Sequence, residues 1–93
     1  MKPLQQQKEF LKLLQEYNST DKALIKANLK NYMDESGHKL KDIARHTGIA
    51  AQSIYQLRKP YAEYCPEFIP AMILCDYLQI PITALLQPLK VTA

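Results

Sequence analysis

Apolar residues recur along this chain at helical intervals, and breaks rich in Gly, Pro, Ser and Asn divide them into six segments. In the first, from Leu4 to Tyr17, Phe10, Leu13, Leu14 and Tyr17 fall at i, i+3, i+4 and i+7, the apolar stripe of an amphipathic helix. Asn18, Ser19 and Thr20 then interrupt the pattern, and Ser19 or Thr20 is suited to cap the next helix by accepting a backbone N–H. That helix is predicted from Asp21 to Glu35, with Ile25, Leu29, Tyr32 and Met33 on one side. Its other side carries Lys22, Lys26 and Lys30 at i, i+4 and i+8, which reads as a solvated basic face, with a DNA contact as the alternative. Asp34 and Glu35 close it as two carboxylates with no evident partner.

Ser36, Gly37 and His38 break the second helix. A short third helix follows from Lys39 to His46, with Leu40, Ile43 and Ala44 turned inward. Thr47, Gly48 and Ile49 form a tight turn in which Gly48 can take the positive φ that a helix end often requires. A fourth helix is expected from Ala50 to Arg58, anchored by Ile54 and Leu57. Pro66 is suited to open a fifth ending near Leu78, although Pro70 allows a later start, and Pro81 a sixth reaching Leu86. No strand pattern competes, so the fold class is all-α.

Two short helices that cross steeply through a tight turn need a small residue at the contact, a permissive residue in the turn and apolar plugs on both sides. The stretch LKDIARHTGIAAQSIYQL, Leu40 to Leu57, supplies Ala44, Gly48 and the set Ile43, Ile49, Ile54 and Leu57. Ala at its fifth position, Gly at its ninth and Ile at its fifteenth form the helix-turn-helix pattern.

Composition narrows the picture rather than redirecting it. Ninety-three residues suit one domain, in which burial is limited and a partner subunit would add stability. Residues 1–18 are read as an N-terminal helix, 21–86 as the main domain with its helix-turn-helix unit at 39–58, and 87–93 as a tail. A net charge of +3 suits a polyanionic partner without establishing one. No export signal and no membrane-length apolar run is present, so a cytoplasmic protein with no membrane partner is expected. Cys65 and Cys75 are then expected as reduced thiols, with Cys75 packing as a small apolar group. Their spacing with His38 and His46 fits no zinc pattern. No nucleophilic triad and no Gly-rich phosphate loop argues for an enzyme. Neither a cofactor nor a small-molecule ligand is called for.

At this point the chain resembles the Cro and lambdoid-phage repressor family of helix-turn-helix proteins. The run QSIYQL, Gln52 to Leu57, is similar to the QSIEQL reading helix of one repressor branch. Downstream, Pro66, Cys75 (usually Ala in the family), Leu78, Ile80 and the run Ala84, Leu85, Leu86 match the spacing of the family's last two helices. The likeness spans about Leu29 to Leu86. It implies a five-helix repressor-like DNA-binding domain, here with an additional N-terminal amphipathic helix, acting on a short operator and usually as a dimer. It further implies that Gln52 and Gln56 read base edges and that Ser53 lies near the backbone. Ala51 falls where the family often has a polar base reader, Tyr55 replaces an acidic residue, and Leu40 replaces a phosphate-touching Gln.

The residues themselves support that reading. With Ile54 and Leu57 inward, Ala51, Gln52, Tyr55 and Gln56 face outward. Gln can pair bidentately with adenine N6 and N7, worth about 1–3 kcal/mol of discrimination, and Ala51 offers a methyl to thymine. Lys39, Lys41, Arg45, Arg58 and Lys59 are placed to bracket the groove and neutralise phosphates. His46 is expected at the surface near the turn. Tyr61 and Tyr64 either approach the DNA backbone or cover the core. The N-terminal stripe either caps its own core or joins a second subunit, and Leu89, Lys90 and Val91 could pair across a homodimer as a strand. The expected function is therefore a sequence-specific regulator, a repressor or Cro-like protein on a double-stranded operator. The alternative is an interaction module on the same scaffold, such as an antitoxin or adaptor.

Overall fold

The structure is a computed structural model and describes residues 3–59 and 63–88. Every element among the described residues is helical: α1 (Pro3–Ser19), α2 (Lys22–Ser36), α3 (Leu40–Thr47), α4 (Ala51–Arg58), α5 (Phe68–Leu78) and a closing 3-10 helix (Ile82–Leu86). The all-helical expectation holds, and the sixth segment is a 3-10 rather than an α-helix.

Local chemistry explains the boundaries. Neither Ser19 nor Thr20 caps α2. Asp21 does so, its carboxylate accepting from the Ala23 N–H at 3.0 Å, while the Thr20 hydroxyl turns back to the Glu16 carbonyl at 2.7 Å. Helix α3 ends at Gly48, whose φ of 77° lets its N–H reach the Ala44 carbonyl at 2.9 Å. Helix α5 begins at Phe68, two residues beyond Pro66. Pro70 then occupies its first turn, where no intrahelical donor is needed.

Tyr17, Ile25, Leu29, Met33, Ile43, Ile54, Leu57, Phe68, Leu74, Cys75 and Leu85 form one buried cluster to which all six elements contribute. Helix α2 packs against α4, α5 and the 3-10 helix, α3 packs on α4 and α5, and α1 lies on α5 and the 3-10 helix. The Asn28 amide donates to the Leu85 and Gln87 carbonyls at 2.8 and 2.9 Å and so fastens the 3-10 helix to α2. The Tyr17 hydroxyl donates to the Pro66 carbonyl at 2.6 Å. Cys75 is buried and Cys65 half-buried, both free thiols. Tyr64 packs on the core, whereas Tyr61 and the Leu89 to Val91 segment lie outside the described residues.

Candidate nucleic-acid interface

The turn between α3 and α4 is held by short-range polar bonds. The Thr47 hydroxyl donates to the Ile43 carbonyl at 2.7 Å and accepts from the Ile49 N–H at 3.2 Å. Ile43, Ile54 and Leu57 are buried, and Leu40, Ala44 and Ile49 pack around them, so the small and apolar positions lie where the pattern requires. Burial of Ile54 and Leu57 fixes the rotation of α4 about its axis.

That rotation leaves Ala51, Gln52 and Tyr55 exposed and Gln56 half-buried. Tyr55 is 47% exposed, large for an aromatic without a role in the core. The Lys59 ammonium sits 4.7 Å from its ring centroid. Ser53 and Lys59 are half-buried, and Lys39, Lys41 and Arg45 are exposed. Arg45 meets Asp42 at 3.3 Å on its own helix, a surface pair that holds it weakly. Among the described residues Lys39 and Lys41 join no ion pair.

Arg58 is differently placed. Its guanidinium meets the Asp34 carboxylate of α2 at 3.0 Å, and Lys30 holds the other carboxylate oxygen at 2.8 Å. Asp34 therefore has two cationic partners where none was expected. The Lys30 hydrogen bond first, and that of Arg58 after it, keep its carboxyl below the ordinary carboxylate range against the opposing effect of burial.

The lysine row on α2 also needs correction. Lys22 is solvated and lies 5.6 Å from the Tyr17 ring centroid, but Lys26 is only 8% exposed. Its ammonium donates to the Gln56, Leu57 and Tyr64 carbonyls at 2.7, 3.2 and 3.4 Å. Burial pulls it below the usual lysine range, and nearby Cys65 acts in the opposite direction. Lys26 stands at i, i+3 and i+7 with the core residues Leu29 and Met33, a spacing that does not by itself tell a buried lysine from a solvated one.

His46 is exposed, as expected, with its ring stacked 5.5 Å from that of Tyr77. Among the described residues no group of three or more His, Cys, Asp or Glu could hold a metal ion. No described helix is long and apolar enough to cross a membrane.

An exposed face of small, amide and aromatic side chains, set on a buried apolar edge and flanked by cations, suits a groove lined with polar base edges and phosphates. No curated protein and no solved structure matches the chain. The Cro/C1-type HTH DNA-binding domain matches residues 28–88, which takes in α3, the turn, α4, α5 and the 3-10 helix and leaves α1 outside. This chain thus belongs to the Cro/C1-type helix-turn-helix DNA-binding domains, and it is a DNA-binding regulator.

Proposed function

We propose that the chain is a sequence-specific repressor or Cro-like regulator that lays α4 in the major groove of a double-stranded operator. Gln52 and Gln56 read base edges, Ala51 meets a thymine methyl, and Tyr55 lies against the neighbouring base or sugar. Lys39, Lys41, Arg45, Ser53, Arg58 and Lys59 take the flanking phosphates. One observation carries the reading: Ala51, Gln52 and Tyr55 are exposed on the helix that Ile54 and Leu57 bury. Regulation is steric, by occupation of a site that polymerase needs.

The active species is a homodimer, which would set two copies of α4 about 34 Å apart on a palindromic site. Phe10 and Leu11 on α1 and Ile69 and Ile73 on α5 support this, since all four are large apolar residues at 41–53% exposure.

Selection of bound duplexes from a random pool, repeated with Gln52→Ala and Gln56→Ala, tests the reading. The unmodified chain should enrich a two-fold symmetric sequence. Each Gln variant should lose about 1–3 kcal/mol of preference at its own base pair. Enrichment of no sequence by the unmodified chain would favour an interaction module on this scaffold. An unchanged preference in both variants would remove the glutamines as readers.

A further inference from the structure

We infer that Lys26 is the positioning residue of the reading helix: its ammonium fixes where α4 ends and therefore how Gln52 and Gln56 are presented. The inference rests on the reading of α4 as the element that meets DNA.

Four helices can be compared at their C-termini. Helices α2, α3 and α5 each end on a left-handed residue, Gly37, Gly48 and Gln79. Helix α4 has no such stop. Its cap residue Lys59 is extended, at φ −92° and ψ 120°, and returns a single N–H to the Gln56 carbonyl at 3.1 Å. The last carbonyls of a helix lack intrahelical donors and carry the negative end of its dipole. At α4 a cation from another helix serves them.

An ammonium has three N–H donors, and the three carbonyls converge on this one. Two of them are consecutive in α4, and the third, Tyr64, belongs to the segment that leads to α5. Among the described residues Lys26 meets no carboxylate. A buried ammonium without a counter-ion is costly unless its hydrogen bonds are all made, so this one is held to a narrow geometry. Eight residues are too few to hold a helix in water without outside contacts. Gln56 joins the two roles, since its carbonyl takes the shortest of the three bonds and its side chain is a proposed base reader.

The test compares Lys26→Met, which keeps length and removes every donor, with Lys26→Gln, which keeps a neutral donor. Affinities for the selected duplex and for a scrambled duplex are measured at one salt concentration, alongside amide hydrogen exchange. Lys26→Met should reduce the selected-to-scrambled ratio tenfold or more, with scrambled binding changed less than twofold. Exchange of the Leu57, Arg58 and Lys59 amides should quicken more than exchange in α2. Lys26→Gln should fall between. A lowered melting temperature with the ratio unchanged would overturn the inference and leave Lys26 a structural residue only.

If neither variant folds, the unmodified chain still decides the matter. As the Lys26 side chain is titrated by carbon NMR, the side-chain carbons of Gln52, to which Lys26 donates no hydrogen bond, should shift with the same midpoint; silence there overturns the inference. A chain that selects no duplex would refute the reading of α4, while exchange and titration would still report on Lys26.

Discussion

Two junctions in this molecule do opposite jobs with opposite chemistry. Helix α1 meets α5 through rings: Phe10 and Tyr17 each stand edge-on to Phe68, with centroids 5.3 and 5.4 Å apart. Helix α2 meets the end of α4 through charge, with Lys26 on the Gln56 and Leu57 carbonyls and Asp34 on Arg58. Aromatic contact supplies much burial, most of it through the non-directional hydrophobic effect, with a milder preference for edge-on rings. A cation on carbonyls supplies less net stability but fails quickly when the geometry shifts. On the function proposed above, the first junction holds the molecule together and the second aims α4.

The largest effect should follow from breaking the aromatic junction. Tyr17→Ala removes a side chain that is fully buried and is expected to cost about 3–5 kcal/mol in urea or thermal unfolding, by analogy with other large aromatic truncations. Tyr17→Phe leaves the Pro66 carbonyl only the weak Cys65 thiol donor at 3.8 Å and should cost about 1–3 kcal/mol. Wherever these variants remain folded, their preference among duplexes should match that of the unmodified chain. A changed preference in Tyr17→Phe, with none in Lys26→Met, would reverse the division of labour.

Alkaline titration should separate the junctions by sign. Burial raises Tyr17 from its ordinary 10.0, and burial alone pushes the Cys75 thiol from 9.0 to about 12. Burial raises Cys65 as well, against the hydrogen bond to Tyr17 and two nearby lysines. The folded chain keeps these protons after the unfolded chain has lost them. Their contribution is therefore complete below pH 9 and is lost as pH climbs through the thiol and tyrosine range. Lys26 is shifted the other way, below 10.5, so the unfolded chain binds its proton longer and stability rises with pH in that window. Three groups against one predict a net alkaline loss. Replacing Cys75 with Ala should flatten the loss, and Lys26→Met should steepen it. Equal slopes in all three proteins would refute the assignment.

The aiming junction was also the less legible one. Spacing alone located the helix-turn-helix unit, because Ala44, Gly48 and Ile54 answer to a local geometry of two helices and one turn. The apolar face of α1 was legible for the same reason. Lys26 was not, because a row at i, i+4 and i+8 turns about 40° per step around a helix of 3.6 residues per turn. Lys22 is solvated, whereas Lys26 has passed beneath α4. Whether a lysine on that path is buried depends on the neighbour, and helix–helix placement is absent from a one-dimensional pattern. Asp34 shares this cause, since Arg58 lies 24 residues away. The cap at Asp21 has another: three adjacent residues carry capping oxygens, and the chain direction leaving α1 decides among them. Ala51, Gln52 and Tyr55 were legible as exposed because the local spacing of Ile54 and Leu57 already sets which side of α4 is buried.

Asp34→Asn should have the smallest effect on stability and a telling one on binding. The pairs it removes, with Lys30 and Arg58, leave both cations about one-third and the carboxylate two-fifths exposed. Solvent screening therefore holds the loss to less than about 1 kcal/mol at neutral pH. The carboxyl sits below 3.8, so its contribution is complete above that value and is lost as pH falls through the folded value. Asp34→Asn should lack this acid-side loss. On DNA the sign is the opposite of a deletion. An aspartate paired to Arg58 competes with phosphate for the same guanidinium, and its own charge repels the backbone. Neutralising it should strengthen binding to any duplex several-fold at low salt. The slope of log affinity against log salt should steepen by about one, as one further counter-ion is released. Because the gain is common to all sequences, the selected-to-scrambled ratio should stay level or fall. Asp34 would then act as a brake on indiscriminate binding, and Lys26 as the aim. Weaker binding of Asp34→Asn to scrambled duplex would mean instead that the Asp34 pair orders Arg58 for its phosphate, and both contacts of α2 with α4 would then serve presentation.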